Sequence, residues 1–344
     1  MTILKEQGIA LRGLAILLIV FHNVIHLLCP IKENEFMFYQ ARLDIYLTNW
    51  SESPITHFVS FYGWVGVSVF VFISGYGLMA KYGKVDLRPL RWITKHYLKL
   101  VFLLLPALLI LYIIDGNRII GDSWKALAYY YFLEQFLLLN IFNPSLIWPG
   151  IYWYLGMALQ LYVIFLLIRK LPNKHLLIIG ILSCVILAIS PTKTVGYLRH
   201  NFIGWLPEFI FGMLYFRLKG SGSIHAVQGK STLIRALCII TLAVTFIVVS
   251  WTRYTFFLGG VAFVALILFF KRPMSKLLLF KYLGRISAAL YITHAFVRNF
   301  WIHASIANEL GPLANALLVL CLAIIVAMPY EYYYQHISSK LLRQ

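Results

Sequence analysis

Six ionisable side chains stand inside long apolar stretches of this 344-residue sequence, and their chemistry needs an explanation. An ionisable side chain at membrane depth costs roughly a few kcal/mol on insertion scales, so each one is a candidate for a functional role. Imidazole exchanges protons near neutral pH, and a neutral histidine beside a hydroxyl could act as a general base. The six residues are Arg12, His22, His26, Glu208, His294 and Arg298.

His22 is the strongest candidate for a general base. It follows Arg12 by ten residues, about 15 Å further along a helix, and so reaches the middle or outer half of a bilayer. A helix-packing hydrogen bond is the alternative for His22, and it is the favoured interpretation for His26. The two histidines have metal-ligand spacing, but no glutamate stands between them and no third ligand is evident, so we expect no metal.

Two other groups of polar residues are candidates for binding an acceptor. Ser287 and Tyr291 precede His294 by seven and three residues, which places the three side chains near one helix face and predicts a shared polar cavity. Glu208 follows Pro207 at the start of a predicted helix, where a carboxylate benefits from the helix dipole. Capping alone could explain Glu208.

The elements that carry these residues are transmembrane helices. The chain is 61% hydrophobic and 12% charged, and a soluble domain of this length could not bury so much apolar surface. A span needs roughly 20 apolar residues in a helix. We therefore predict an all-α polytopic membrane bundle, with residues 1–344 as a single domain and about ten transmembrane helices near residues 8–28, 57–80, 96–115, 149–168, 175–190, 202–217, 232–250, 255–270, 285–303 and 313–333.

One further apolar segment, residues 125–141, leaves two alternatives open. Counting it as an eleventh span would reverse the orientation of every later loop. Its tyrosines, with Glu134 and Gln135, suit an interfacial or re-entrant helix at the level of the lipid headgroups. We predict the interfacial helix.

The net charge of +18 is a topology signal rather than a sign of nucleic-acid binding, because the cations cluster in alternate loops. Acidic residues predominate in the first loop, whereas the loop between the second and third spans is basic. Both termini are then predicted to be cytoplasmic. The basic loop could also hold the phosphates of an anionic cofactor, and its cations are Lys81, Lys84, Arg88, Arg91, Lys95 and Lys99.

Several motifs, in this order along the chain, resemble the acyltransferase-3 family of integral membrane acyltransferases. LRGLAILLIVFH, ending at His22, is similar to the first-helix motif, although it has nine residues between Arg12 and the histidine where the family has ten. Phe70, Phe72, Ser74 and Gly75 match the second-helix signature. LRWITKHYLKLVFLLLP resembles the entry to the third helix, with lysines for arginines, and later matches are IYWYLGMALQLYVIFLL, LPEFIFGMLY and YLGRISAALYITHAF.

The resemblance implies an enzyme that transfers an acyl group, acetyl above all, from cytoplasmic acyl-CoA to a hydroxyl of a cell-surface carbohydrate or lipid-linked saccharide. No metal is implied. Membrane lipids and the acceptor are the expected partners, a homo-oligomer stays open, and the expected location is a bacterial inner or cytoplasmic membrane. The implied catalytic residues are His22 and Arg12, the cofactor-binding residues are Lys95, Lys99 and Arg91, and the substrate-binding residues are Ser74, Glu208, Ser287, Tyr291 and His294.

Two rival classes remain at this stage. A transporter or flippase of a lipid-linked saccharide would also place histidine and glutamate within the membrane, although inverted repeats are not apparent. A noncatalytic partner in a polysaccharide assembly complex is consistent with the altered first-helix spacing. Binding of acyl-CoA separates the enzyme from both.

Overall fold

The computed structural model describes residues 3–29, 31–120, 137–138, 150–218, 232–302, 304 and 309–343. Throughout these residues the regular structure is helical, without a strand. In chain order the helices are α1 (Lys5–Leu28), α2 (Gln40–Asn49), α3 (Pro54–Tyr62), α4 (Val65–Tyr82), α5 (Pro89–Ile120), α6 (Trp153–Ile168), α7 (Asn173–Ile189), α8 (Thr192–Arg199), α9 (Leu206–Leu218), α10 (Thr232–Ser250), α11 (Gly259–Ile267), α12 (Lys271–Met274), α13 (Leu278–Arg285), α14 (Ser287–Ile302) and α15 (Pro312–Arg343).

The predicted all-α membrane fold is confirmed, and the protein is a multi-pass membrane protein. Among the described residues six helices are long and apolar enough to cross a bilayer, and two shorter apolar helices accompany them. The predicted spans 202–217 and 285–303 correspond mainly to α9 and α14, which are shorter than a full span. The count of ten, the cytoplasmic termini and the single domain stay predictions.

Helix α1 is the centre of the bundle and fixes its two ends. It contacts α3, α4, α12, α13, α14 and α15. We call the end of the bundle near Lys5 the inner end, which is the predicted cytoplasmic side, and the end near Leu28 the outer end. Helix α4 runs antiparallel to α1, because Gly63 lies against His22 while the hydroxyl of Tyr76 accepts a hydrogen bond from the backbone of Ile3.

Several predicted boundaries differ from the structure. The predicted helix 57–80 is broken at Gly63 and Trp64 into α3 and α4, and the start of 285–303 is broken at Ile286. Helices α2 and α8 lie in segments that hydropathy leaves as loops. Segment 125–141 falls outside the described residues except for Leu137 and Leu138, so its assignment stays a prediction.

Close packing of α4 against α9 depends on glycine, and it can be tested. A Cβ at Gly75 would collide with the backbone carbonyl of Phe209, and small residues let membrane helices approach this closely. We expect Gly75→Ala to cost roughly 1–3 kcal/mol by overpacking, measured as a lower thermal unfolding temperature in detergent. Gly77→Ala is the matched control on α4, because a Cβ there meets nothing within 4 Å. Equal effects of the two substitutions would contradict this packing.

Candidate functional site

A cavity of about 360 Å³ lies at the outer end of α1, and we call it the outer pocket. Its wall combines side chains from α1, from the segment after α1, from the start of α6 and from α14. Ligand pockets commonly combine aromatic walls with a few convergent polar groups. The lining includes His22, His26, Glu33, Glu35, Trp153, His200 and Arg298.

His22 is held in one orientation by the elbow between α3 and α4. Its Nδ1 lies 3.1 Å from the carbonyl oxygen of Val59, and a carbonyl oxygen only accepts, so Nδ1 carries the hydrogen. The neutral ring then keeps its lone pair on Nε2. Gly63 allows the elbow to come this close, because a Cβ there would lie 2.6 Å from Cβ of His22.

His26 repeats this arrangement one turn further out on α1. Its Nδ1 donates to the carbonyl oxygen of His22 at 2.8 Å, so its lone pair is also on Nε2. The two imidazoles stack with their centroids 4.9 Å apart. The expected packing hydrogen bond of His26 is therefore present, and the residue also lines the outer pocket.

Two carboxyl groups follow α1 and have opposite properties. Burial and then the charge of Glu33 raise the pKa of Glu35 to about 8, against the attraction of Arg199. Burial also acts to raise the pKa of Glu33, but attraction to His22 and His26 in their protonated forms outweighs it, and that pKa lies below its ordinary value. Near neutral pH the pocket therefore holds one carboxylate, Glu33, beside one protonated carboxyl, Glu35.

Helix α14 connects the outer pocket to the interior of the bundle. Asn23 donates a hydrogen bond to Nε2 of His294 at 3.4 Å, and Nδ1 of His294 donates to the carbonyl oxygen of Leu290 at 3.0 Å. Arg298, one turn further out, lies 3.5 Å from the carbonyl oxygen of Asn23 and lines the pocket. His294 is therefore linked to the His22 region through the side chain of Asn23.

The other predicted interior residues lie along a polar path below His294. Tyr154 of α6 is close enough to the half-buried side chain of Ser74 to interact with it electrostatically, and its ring lies 5.4 Å from that of Tyr291. Tyr291 lies next to His294, with ring centroids 5.8 Å apart, and its hydroxyl donates to the carbonyl oxygen of Ile151. Ser287 is buried at the inner start of α14, where it donates to the carbonyl oxygen of Gly284.

The structure does not bring Arg12 and His22 together. Both lie on the single helix α1, ten residues apart, which is about 15 Å. Arg12 is close to the inner end and within electrostatic reach of Glu331. Its Nε is buried and has no hydrogen-bond partner among the described residues. Arg12 can therefore interact with a ligand at the inner end of the bundle, but it does not line the outer pocket.

A second candidate region is a cluster of lysines at the inner end. Lys99 lies within electrostatic reach of Lys81 and Lys95, so the structure adds Lys81 to the two predicted lysines. Arg91 is exposed one turn before Lys95. Over the described part of the chain the only ion pair is Lys170 with Asp86, so no described carboxylate pairs with these lysines. Uncompensated cations of this kind attract a polyanion.

Glu208 lies outside the lining of the outer pocket. Its carboxylate accepts a hydrogen bond from Ser68 at 3.2 Å and is within electrostatic reach of Arg199. Both Glu208 and Arg199 are 0% exposed. The substrate-binding role of Glu208 stays a prediction. Its observed contacts, with Ser68 and Arg199, are contacts within the protein.

Sequence reasoning did not select Glu33, Glu35 or Asn23 as site residues. In the sequence the two glutamates indicate only topology, as acidic loop residues. At this point of α1 the ionisable residue His22 was selected and its neighbour Asn23 was not. The one signal available was proximity, because Asn23 is adjacent to His22 and Glu33 follows it by eleven residues. Proximity in sequence does not show that the segment after α1 folds back over its end.

Comparison with known proteins agrees with the motifs. A family model described as an acyltransferase domain, of the acyltransferase-3 type, matches residues 9–332. The match covers nearly the whole chain and both candidate regions. Neither the comparison with curated proteins nor that with solved structures found a match.

Proposed function

The chain belongs to the acyltransferase-3 family, and on that premise we propose that this acyltransferase moves an acyl group, acetyl in the simplest case, from acyl-CoA to a carbohydrate hydroxyl. The donor binds at the inner end, and the acceptor is a cell-surface carbohydrate or lipid-linked saccharide in the outer pocket. The observation that carries the proposal is His22, which lines that pocket while its Nδ1 is held by the carbonyl oxygen of Val59, so that the lone pair of the neutral ring is on Nε2. The proposed location is a bacterial inner or cytoplasmic membrane.

His22 acts as the general base in this proposal. Its Nε2 takes the proton of the acceptor hydroxyl while the hydroxyl oxygen attacks the thioester carbonyl carbon. When the tetrahedral intermediate collapses, the C–S bond breaks and the CoA thiolate takes a proton from the imidazolium of His22. The products are an ester and CoA. Direct transfer is preferred to an acyl-serine because the sequence has no nucleophile elbow.

The outer pocket has the composition expected for a saccharide. The indole of Trp153 offers an aromatic face, and Phe36 beside it lies stacked on His200 with centroids 3.9 Å apart. Carboxyl groups and the guanidinium of Arg298 supply acceptors and donors for sugar hydroxyls. In this proposal the attacking hydroxyl binds beside His22, among these lining groups.

The lysine cluster at the inner end is the proposed site for the phosphates of CoA, with Arg12 nearby on α1. The pantetheine arm would then extend from the lysines toward His22 through the bundle. The polar path of Ser74, Tyr154 and Tyr291 offers hydrogen-bonding groups for such an arm. No metal takes part in this mechanism.

Removing the lysine charges should weaken donor binding. We expect the double substitution Lys95→Gln and Lys99→Gln to raise KM for acetyl-CoA about tenfold or more while kcat changes little, because the phosphates lie far from the reacting atoms. Lys276→Gln, which removes an exposed cation from another basic loop, is the control. An unchanged KM in the double variant would remove these lysines from the donor site.

The proposed function is tested with the purified protein in lipid nanodiscs, labelled acetyl-CoA and envelope glycans. We expect binding of acetyl-CoA and transfer of the label to glycan. Longer acyl-CoAs are tested in parallel, since the acyl group is part of the proposal. The absence of both binding and transfer with every donor would overturn the proposal, and movement of a lipid-linked saccharide across vesicles would then favour the transporter.

A further inference from the structure

We infer that the outer pocket binds one divalent transition-metal ion of the zinc class through His22, His26 and Glu33, and that the bound ion arrests acyl transfer. The two histidines stand at i and i+4 in the sequence, where no third ligand is evident. The structure supplies that ligand from the segment after α1: one donor atom from each of the three residues lies within 4.8 Å of the others.

The two histidines are prepared for metal binding by their backbone contacts. In each ring Nδ1 donates to a carbonyl oxygen, of Val59 for His22 and of His22 for His26. This leaves Nε2 as the ligand atom and fixes the ring orientation, as is usual for metal-bound histidine. Around zinc at about 2.1 Å the donors would be about 3.4 Å apart, so the three side chains must move closer together than the observed limit of 4.8 Å to complete the site.

Glu33 supplies a negative charge where a cation needs one. Its Oε2 is buried and has no hydrogen-bond partner among the described residues. Glu35, His200 and Arg298 also line the cavity, and Arg298 opposes a further positive charge, which limits the site to one ion. Two histidines and one carboxylate form a zinc ligand set that leaves a fourth position open.

The metal would arrest acyl transfer because it would bind the same atom of His22 that acts as the base. This part of the inference rests on the proposed function. The lone pair that would bind the metal is the lone pair of Nε2 in His22 that accepts the proton of the acceptor. A ring bound to a metal through Nε2 cannot act as the base. An ion in the cavity also occupies space that the acceptor needs.

Binding is tested on the full chain without a polyhistidine tag, in detergent, by titration with cobalt chloride. We expect one Co²⁺ per chain with visible ligand-field absorption, displaced by Zn²⁺, and a higher thermal unfolding temperature with the metal. His26→Gln and Glu33→Gln should each weaken binding by more than about tenfold. His200→Gln is the control, because it changes a histidine of the same cavity outside the ligand group, and it should bind as wild type does.

The metal site is overturned if the wild type binds Co²⁺ no more tightly than His26→Gln and Glu33→Gln, provided that the metal-free variants unfold at wild-type temperatures. Arrest is tested separately: Zn²⁺ at a saturating concentration should lower transfer more than about tenfold, and a chelator should restore it. Unchanged transfer at saturation would overturn arrest. If the wild type transfers no acyl group to any acceptor, the proposed function fails, whereas the titration still decides whether the metal site exists.

Discussion

Replacing His22 with alanine is expected to lower the rate of acyl transfer by about 10²- to 10⁴-fold, the usual contribution of a positioned general base. The imidazole lines the outer pocket and has its lone pair on Nε2, and its loss leaves the hydroxyl proton without an acceptor. Binding of acyl-CoA should persist, because the lysine cluster lies at the other end of the bundle. The measurements are kcat for transfer and the dissociation constant of acetyl-CoA.

His57→Ala is the control for loss of a buried outer histidine. His57 lies in α3 and its Nδ1 contacts the carbonyl oxygen of Asn49 at 2.7 Å, but it is not part of the pocket lining. It should transfer at nearly the wild-type rate where the two variants have equal amounts of folded protein. If both variants lose activity in proportion to their loss of folded protein, His22 has only a packing role.

Hydropathy predicts the long helices well because a bilayer requires every backbone polar group to be paired within its segment. The span 232–250 coincides with α10, and 8–28 differs from α1 by three residues at its start. The pattern cannot show that α5 begins at Pro89, because a helix continues beyond its apolar part into charged turns. It also cannot show the break at Gly63, where the chain lies so close to His22 of another helix that a Cβ would not fit.

The candidate site was predictable only as far as single residues report their own environment. An imidazole within an apolar helix is unusual by itself, so His22 and His294 could be selected. Glu33 is an ordinary loop carboxylate until the chain folds back over the end of α1, and that is a tertiary event. Arg199 was missed because its partners also come together only in the tertiary structure. A cation in a predicted outer loop does depart from the charge bias of membrane proteins.

Arg199 occupies a position that only a guanidinium fills. Its Nε donates to the carbonyl oxygen of Glu35 at 3.0 Å and its Nη1 donates to that of Gly204 at 2.9 Å. The guanidinium stacks 4.1 Å from the ring centroid of Trp205, and Glu208 attracts it. The planar group therefore connects the segment after α1 with the start of α9.

We expect Arg199→Met to lower the free energy of unfolding by about 3–5 kcal/mol, because it leaves buried carbonyl oxygens without their donor and the buried Glu208 carboxyl group without the cation that attracts it. Arg199→Lys should recover little, since an ammonium cannot form the two directed bonds and stack at once.

Arg253→Met, on an exposed arginine whose one described hydrogen bond is 3.5 Å long, is the control. The measurement is thermal unfolding in detergent, with Arg199→Met combined with Glu208→Gln to complete a double-mutant cycle. Electrostatic attraction between Arg199 and Glu208 predicts that the combined variant is more stable than the sum of the single effects, whereas additive losses would mean that Arg199 acts only through the backbone carbonyls it binds.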